Sequence, residues 1–259
     1  MKNIRYLKEN GVDTDASIEL FGDIELYNST MQDFLDSIDN KLEKLEKFKK
    51  LNEIENYAIF AHSIKSDARY LGFTSIAQIA YEHEMAGKGD NQKFINDNYE
   101  FLLENINEMI RIVKEYLNDE ENNDDFLEEE YEVKKPSVIE VLVVDDAMLI
   151  TNLIKKTINE KYKLTCINSG DEAIEYVKNN IESINVLLLD LNMPKTNGFD
   201  ILEYLDQNDM FDKIKVSIIT GDESKETIDK AFQYPIVDML RKPFGKDALD
   251  NIISKTYNS

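Results

Sequence analysis

The sequence predicts two domains of different class, an all-α up-down helical bundle followed by an α/β domain with a doubly wound parallel sheet. Three observations carry that expectation. Up to Leu117 the apolar residues recur only at helical spacing. From Val141 onward, four short apolar runs each stop on a polar or charged residue, as strands buried on both faces of a parallel sheet do. Between them, Asn118–Pro136 reads NDEENNDDFLEEEYEVKKP, a block of like charge that cannot bury enough apolar surface to fold by itself. The expected organisation is a bundle over 1–118, an acidic linker over 119–137 and the α/β domain over 138–259.

In the first domain, Asp13–Phe21 reads as a short helix with Asp or Thr as its cap and Gly22 as its stop. Asp23 to about Lys50 is a long amphipathic helix, and Glu53–Tyr70, Thr74–Ala86 and Asn91–Leu117 follow, with Gly72 and the pair Gly87 and Gly89 as stops. Longer helices of this kind joined by short loops pack as an up-down bundle.

One segment of the bundle carries chemistry: Ala61–Gly72, AHSIKSDARYLG. At about 100° per residue, Phe60, Ile64 and Leu71 fall on one side, and His62, Lys65, Ser66 and Arg69 on the other. The imidazole is thus expected to be exposed, with cations one and two turns on that suit a negative group. No second His lies at helical spacing, so metal binding there is not expected. His83, between Glu82 and Glu84, is flanked by acids that repel a phosphoryl group and reads as a surface or edge histidine.

In the second domain, VLVVDD (Val141–Asp146), INVLLLD (Ile184–Asp190), IKVSIIT (Ile214–Thr220) and PIVDMLRK (Pro235–Lys242) read as strands. Their ends offer Asp145 with Asp146, then Asp190, Thr220 and Lys242. In an open α/β sheet ligands bind at that edge. Three carboxylates there call for a hard divalent cation, while a hydroxyl and an ammonium suit phosphoryl oxygens. The implied chemistry is phosphoryl transfer to a carboxylate.

Composition narrows the partners. Lys and Arg number 30 against 52 Asp and Glu, a net charge of −22 that argues against nucleic acid and against anionic membrane. No apolar stretch approaches the roughly 20 residues of a spanning helix. The start, MKNIRYLKEN, has no apolar signal-peptide core, so the expected location is cytoplasmic. The one cysteine, Cys166 in YKLTCIN, reads as a buried structural thiol.

From about Ile139 to the C-terminus the chain resembles the receiver domain of bacterial response regulators, and LDLNMPKTNGFD (Leu189–Asp200) is similar to chemotaxis-type receivers. The separations of 45 residues from Asp145 to Asp190, 30 to Thr220 and 22 to Lys242 match that family. The resemblance implies a flavodoxin-like, five-stranded sheet, Asp190 as phosphoacceptor, and Mg²⁺ held by Asp146 directly, by Asp145 through water, by Asp190 and by the Asn192 carbonyl. It also implies that Lys242 pairs with the phosphoryl oxygens and that Thr220 moves to hydrogen-bond one of them. Met239 stands where such receivers often carry an aromatic. Asn192 and Asp222 are expected to flank the line of attack of water. Met148 and Ile150 lie on the helix that receivers use to dock a bundle, or belong to the core.

Residues from about Asn10 to Leu117 resemble the histidine phosphotransfer (HPt) family, whose motif is a His followed three residues later by Lys and then Gly. That resemblance implies His62 as the phosphohistidine and Lys65 as its electrostatic partner. Ser66 replaces the usual Gly, and Asp67 is expected to bring a carboxylate toward the phosphate site.

Together these resemblances imply a two-component phosphorelay intermediate carrying phosphoryl groups on His62 and Asp190, with a sensor histidine kinase upstream and another receiver or HPt protein downstream. No Gly-rich nucleotide segment or ATP-binding kinase motif set is found, so a carrier rather than a kinase is expected. Only about a dozen residues follow PFGKDALD, so no output domain is expected. The alternative is a phosphorylation-independent adaptor, or a phosphate sink, that binds kinase or receiver partners.

Overall fold

Helix caps written into the sequence divide the first unit into its elements. In the computed structural model, which describes residues 2–118, 139–158, 161–222 and 224–259, the helices are α1 (Arg5–Glu9), α2 (Thr14–Phe21), α3 (Ile24–Leu51), α4 (Ile54–Tyr70), α5 (Thr74–Lys88) and α6 (Gln92–Leu117). Asp13, Asp23 and Asn91 each accept a backbone N–H of the first turn of α2, α3 and α6. Gly22 and Gly72, at φ 85° and 83°, let the chain turn out of α2 and α4 in the left-handed region. The acidic linker expected over 119–137 lies outside the described residues; the chain divides into two compact units, 1–131 and 132–259.

Each long helix of the bundle packs on the next, and α3 closes against α6. The core is the inward stripe of each: Tyr27, Met31, Phe34, Ile38 and Leu45 of α3, Tyr57, Ala61, Ile64 and Ala68 of α4, Ala77 and Ala80 of α5, and Ile95, Leu102, Ile106, Met109 and Val113 of α6. The most extensive contact is between α4 and α5. Gly87, expected to stop α5, instead lies inside it. A Cβ on Gly87 would fall 2.7 Å from that of Ala58, so the missing side chain serves helix contact, and Gly89 is the C-cap.

The second unit alternates strands and helices: β1 (Glu140–Val144), α7 (Met148–Ile158), β2 (Lys163–Ile167), α8 (Gly170–Asn180), β3 (Val186–Leu189), α9 (Gly198–Gln207), β4 (Lys215–Thr220), α10 (Lys225–Ala231), β5 (Asp238–Arg241) and α11 (Lys246–Tyr257). All pairs are parallel and the order is β2-β1-β3-β4-β5. β1 and β3 are buried along their whole length, which explains their unbroken Val and Leu runs. The order reverses between β1 and β3, so their carboxyl ends flank a crevice, the place where such sheets hold ligands. This is the flavodoxin-like topology expected from the resemblance.

Candidate functional site

At that crevice the sequence delivers its acids. Asp145 and Asp146 follow β1, Asp190 follows β3, and oxygens of all three carboxylates lie within 4.8 Å of one another. Lys242, just beyond β5, reaches back under the edge: its Nζ donates to Asp190 Oδ2 at 2.8 Å and pairs with Asp145 Oδ2 at 2.6 Å. Burial disfavours the Lys242 ammonium, but Asp145 and Asp190 outweigh it and hold its pKa above the ordinary lysine range. Burial also pushes Asp145 up to about 6, against the pull of Lys242 and with the repulsion of Asp190. Three acids facing one ammonium leave a negative excess, and that donor set, all hard oxygen, fits a divalent cation such as Mg²⁺.

The supporting contacts are local. Asp145 Oδ1 accepts the Ala147 N–H at 3.0 Å, and Asp190 Oδ1 that of Asn192 at 3.3 Å. Thr220 is fully buried at the end of β4, and its Oγ1 accepts the Asp222 N–H at 3.0 Å. Gly198 opens α9 directly against Asp190. A Cβ there would lie 2.3 Å from the Asp190 carbonyl oxygen, so only Gly lets the 190–198 loop fold back this tightly. Asn168, missed in the sequence, ties the end of β2 to this edge through Nδ2 bonds to the Asp145 carbonyl (2.6 Å) and Thr151 Oγ1 (3.1 Å). A lone Asn after an apolar run gives no signal of that role.

Around the acids, other expectations resolve individually. Asp222 spends its carboxylate on the start of α10, accepting from the Ser224 N–H and Thr227 Oγ1. Met239 packs against the receiver core from β5. Met148 is 54% exposed, whereas Ile150 is core. Cys166, expected to be buried, is only partly so, and burial raises its thiol to about 11.

In the bundle, His62 is not exposed: its helix-wheel position does face away from the core of α4, but α5 covers that face. His62 Nδ1 lies 2.8 Å from Glu84 Oε1, and Lys65 Nζ lies 2.7 Å from Glu84 Oε2 and 3.1 Å from His62 Nδ1. All three side chains are buried. Lys88, one turn beyond Glu84, closes on the same Oε1 at 2.9 Å. Burial pushes Glu84 up, yet His62, Lys65 and Lys88 together hold it well below the usual carboxylate range. Lys65 is lowered, chiefly by burial, with Glu84 opposing.

Three sequence expectations are corrected here. Glu84, read as an acid beside His83, is turned to His62, because neighbours on a helix diverge by about 100°. His83 is not a surface residue but fully buried, with Nδ1 2.7 Å from the Tyr57 hydroxyl, and burial lowers its pKa to about 4. Asp67, expected to bring charge toward the imidazole, instead forms a buried ion pair with Lys41 of α3. Ser66 is buried.

The Hpt domain family model matches residues 29–115 and the response regulator receiver domain model residues 141–254. Among curated proteins, the second half is similar to the transcriptional regulatory protein CrdR of Helicobacter pylori, 29% identical over 46% of this chain and 54% of that one. It is also similar to a protein-glutamate methylesterase/protein-glutamine glutaminase of Pyrococcus horikoshii, 33% identical over 45% of this chain and 33% of that protein. The chain thus spans about half or less of the length of these relatives. Among solved structures, a response regulator receiver domain protein from Clostridium thermocellum is 27% identical, covering 46% of this chain and 94% of that one at a TM-score of 0.43. Among the described residues no helix is long and apolar enough to cross a membrane. The chain therefore carries a stretch that matches the Hpt domain followed by one that matches the response regulator receiver domain, a pairing that fits a two-component phosphorelay protein.

Proposed function

We propose that this protein is a phosphorelay intermediate in which Asp190 and His62 each carry a phosphoryl group. The observation that carries the proposal is Lys242 Nζ bridging Asp190 and Asp145 at the switch point of the sheet. An ammonium held there is in place to meet phosphoryl oxygen once Asp190 bears it.

In this reading Asp145, Asp146, Asp190 and the Asn192 carbonyl would hold Mg²⁺, which would supply positive charge to offset the phosphoryl oxygens. The Asp190 carboxylate attacks phosphorus in line as the bond to the donor breaks and the donor leaves with the electron pair. Thr220, whose hydroxyl ends the neighbouring strand, turns to donate to one phosphoryl oxygen. Lys242 stays paired to the developing anion.

At the other centre, Glu84 accepts from Nδ1 of His62, which leaves the Nε2 lone pair as the nucleophile. As the Nε2–P bond forms, the P–O bond to an aspartyl phosphate breaks and the carboxylate departs as the anion. The positive imidazole that results is stabilised through Nδ1–H by Glu84. Lys65 offsets the new phosphoryl charge. A sensor histidine kinase upstream and another receiver or Hpt protein downstream fit this role, and the chain acts as a carrier that catalyses only its own receiver's acylphosphate chemistry.

The test is loading from labelled acetyl phosphate with and without Mg²⁺. The proposal expects Mg²⁺-dependent label that Asp190→Asn abolishes. Equal labelling of wild type and Asp190→Asn contradicts it.

A further inference from the structure

Where β1 ends, a side chain takes the place of a ladder bond. The Asp145 N–H donates to the Ile167 carbonyl at 3.1 Å, the last rung between β1 and β2. In a parallel pair the next rung would run from the Ser169 N–H to the Asp145 carbonyl. That carbonyl instead accepts Nδ2 of Asn168 at 2.6 Å. The same Nδ2 donates to Thr151 Oγ1 at 3.1 Å, and Thr151 Oγ1 donates in turn to the Met148 carbonyl at 3.1 Å. Both partners of Asn168 accept, so the amide can present only its NH₂ to them. Two residues on, the same loop meets the segment that carries Asp190. A Cβ on Gly170 would fall 2.1 Å from the Thr196 carbonyl oxygen, and Thr196 Oγ1 donates to the Asp171 carboxylate. Residues 168–171 therefore touch the Asp145 turn at one end and the 190–198 loop at the other.

We propose that Asn168 is a positioning residue for the acidic edge: by holding the peptide between Asp145 and Asp146, its amide fixes where the Asp146 carboxylate stands relative to Asp190, and so sets the affinity of the edge for a divalent cation. This rests on the reading of that edge as a Mg²⁺ site.

The carboxylate of Asp145 is held by the Ala147 N–H and by Lys242, neither of which fixes the peptide that follows it. Rotation of that peptide plane would swing Asp146 while leaving the Asp145 side chain in place. Oxygens of the three acids lie within 4.8 Å of one another although their charges repel, so the edge has to be braced. Lys242 braces Asp145 and Asp190 by charge. Asn168 braces the Asp145–Asp146 turn through the backbone. A hard cation binds more tightly to carboxylates already at its spacing, and groups that orient its ligands from behind set much of its affinity.

The experiment is a Mg²⁺ titration of the full chain by calorimetry, in wild type, Asn168→Ala, Asn168→Leu and Thr151→Val, with Asp146→Asn as the blank for other acidic groups. Asn168→Ala and Asn168→Leu are expected to weaken Mg²⁺ binding by about tenfold. Thr151→Val removes the other acceptor and keeps the Asp145 bond, and is expected to stay within about twofold of wild type. In loading from acetyl phosphate, the half-saturating Mg²⁺ concentration should rise by the same factor in the Asn168 variants. The rate at saturating Mg²⁺ should stay within about threefold of wild type, whereas a generally damaged domain would lose that maximal rate. In wild-type protein, where no substitution can disturb folding, the Asn168 side-chain amide should exchange slowly with water by NMR and shift as Mg²⁺ binds. Wild-type Mg²⁺ binding with unchanged affinity in both Asn168 variants overturns the proposal, as does an Asn168 amide that exchanges like a free one or does not respond to Mg²⁺. Wild type that binds Mg²⁺ no better than Asp146→Asn overturns the cation reading itself, and the proposal with it.

Discussion

Glu84 Oε1 and His62 Nδ1 meet at 2.8 Å across the α4–α5 interface, and with Lys65 they form a buried charged cluster in which each side chain depends on another helix or turn for its partner. Replacing Glu84 by Gln keeps the shape and removes the charge. Phosphoryl uptake at His62 should then fall by about 10- to 1,000-fold, because the positive ring formed on attack loses its counter-ion. The bundle should also lose about 2–4 kcal/mol, since Lys65 is left buried without its carboxylate. Uptake rates and urea unfolding measure the two effects. The sign with pH follows from the lowered Glu84: its stabilisation is present above the ordinary carboxylate range and is lost as acid approaches the lower folded value.

His83 gives a second, separable acid response. Burial lowers it from 6.5 to about 4, so the unfolded chain binds a proton that the folded bundle refuses. Stability is therefore undiminished above pH 6.5 and falls as pH drops toward 4, by on the order of 2 kcal/mol. His83→Gln, which still offers the Tyr57 hydroxyl an acceptor, should flatten that part of the urea midpoint against pH. An unchanged slope would place the acid sensitivity elsewhere.

Lys242→Met tests the receiver edge. Asp145 and Asp190 lose a buried counter-charge, so phosphoryl loading should drop about 100-fold. Mg²⁺ binding by calorimetry should persist or tighten, because the acids then face a greater negative excess. Parallel loss of loading and of Mg²⁺ binding would mean that Lys242 shapes the site rather than acting on phosphoryl oxygen.

Two glycines test close packing. Gly198→Ala pushes a Cβ into the Asp190 carbonyl and should reduce loading at least about tenfold by displacing the nucleophile, with the helical signal retained. Gly87→Ala should destabilise the bundle by about 1–3 kcal/mol. Ala58→Gly should restore much of that loss in the double variant, because the two Cβ positions collide directly.

The receiver edge was legible because a parallel sheet compresses its message. Buried strands read as unbroken apolar runs, and Asp145, Asp190, Thr220 and Lys242 stand where those runs stop. The bundle gave its helices through Asp13, Asp23, Gly22 and Gly72, yet hid its chemistry. A helical wheel places His62 off the core of α4 but says nothing of α5 covering that face. Glu84 and Lys88 look like solvated charges, and Glu84 beside His83 suggested repulsion where the structure has them on different sides of the helix. Gly87 read as punctuation because a glycine chosen for its missing Cβ and one chosen for its backbone freedom look alike in one dimension. Asp67 could not show its pairing with Lys41, 26 residues earlier on another helix.

The most direct measurement is the acid and base stability of label on the full chain after loading with acetyl phosphate and Mg²⁺, in wild type, Asp190→Asn and His62→Gln. The account predicts an aspartyl phosphate on Asp190 and a fraction that is acid-labile and base-stable, absent from His62→Gln. Wild-type protein whose only label is on Asp190, and whose His62 takes no phosphate from any added phosphorylated receiver, would contradict the claim that both residues carry phosphate.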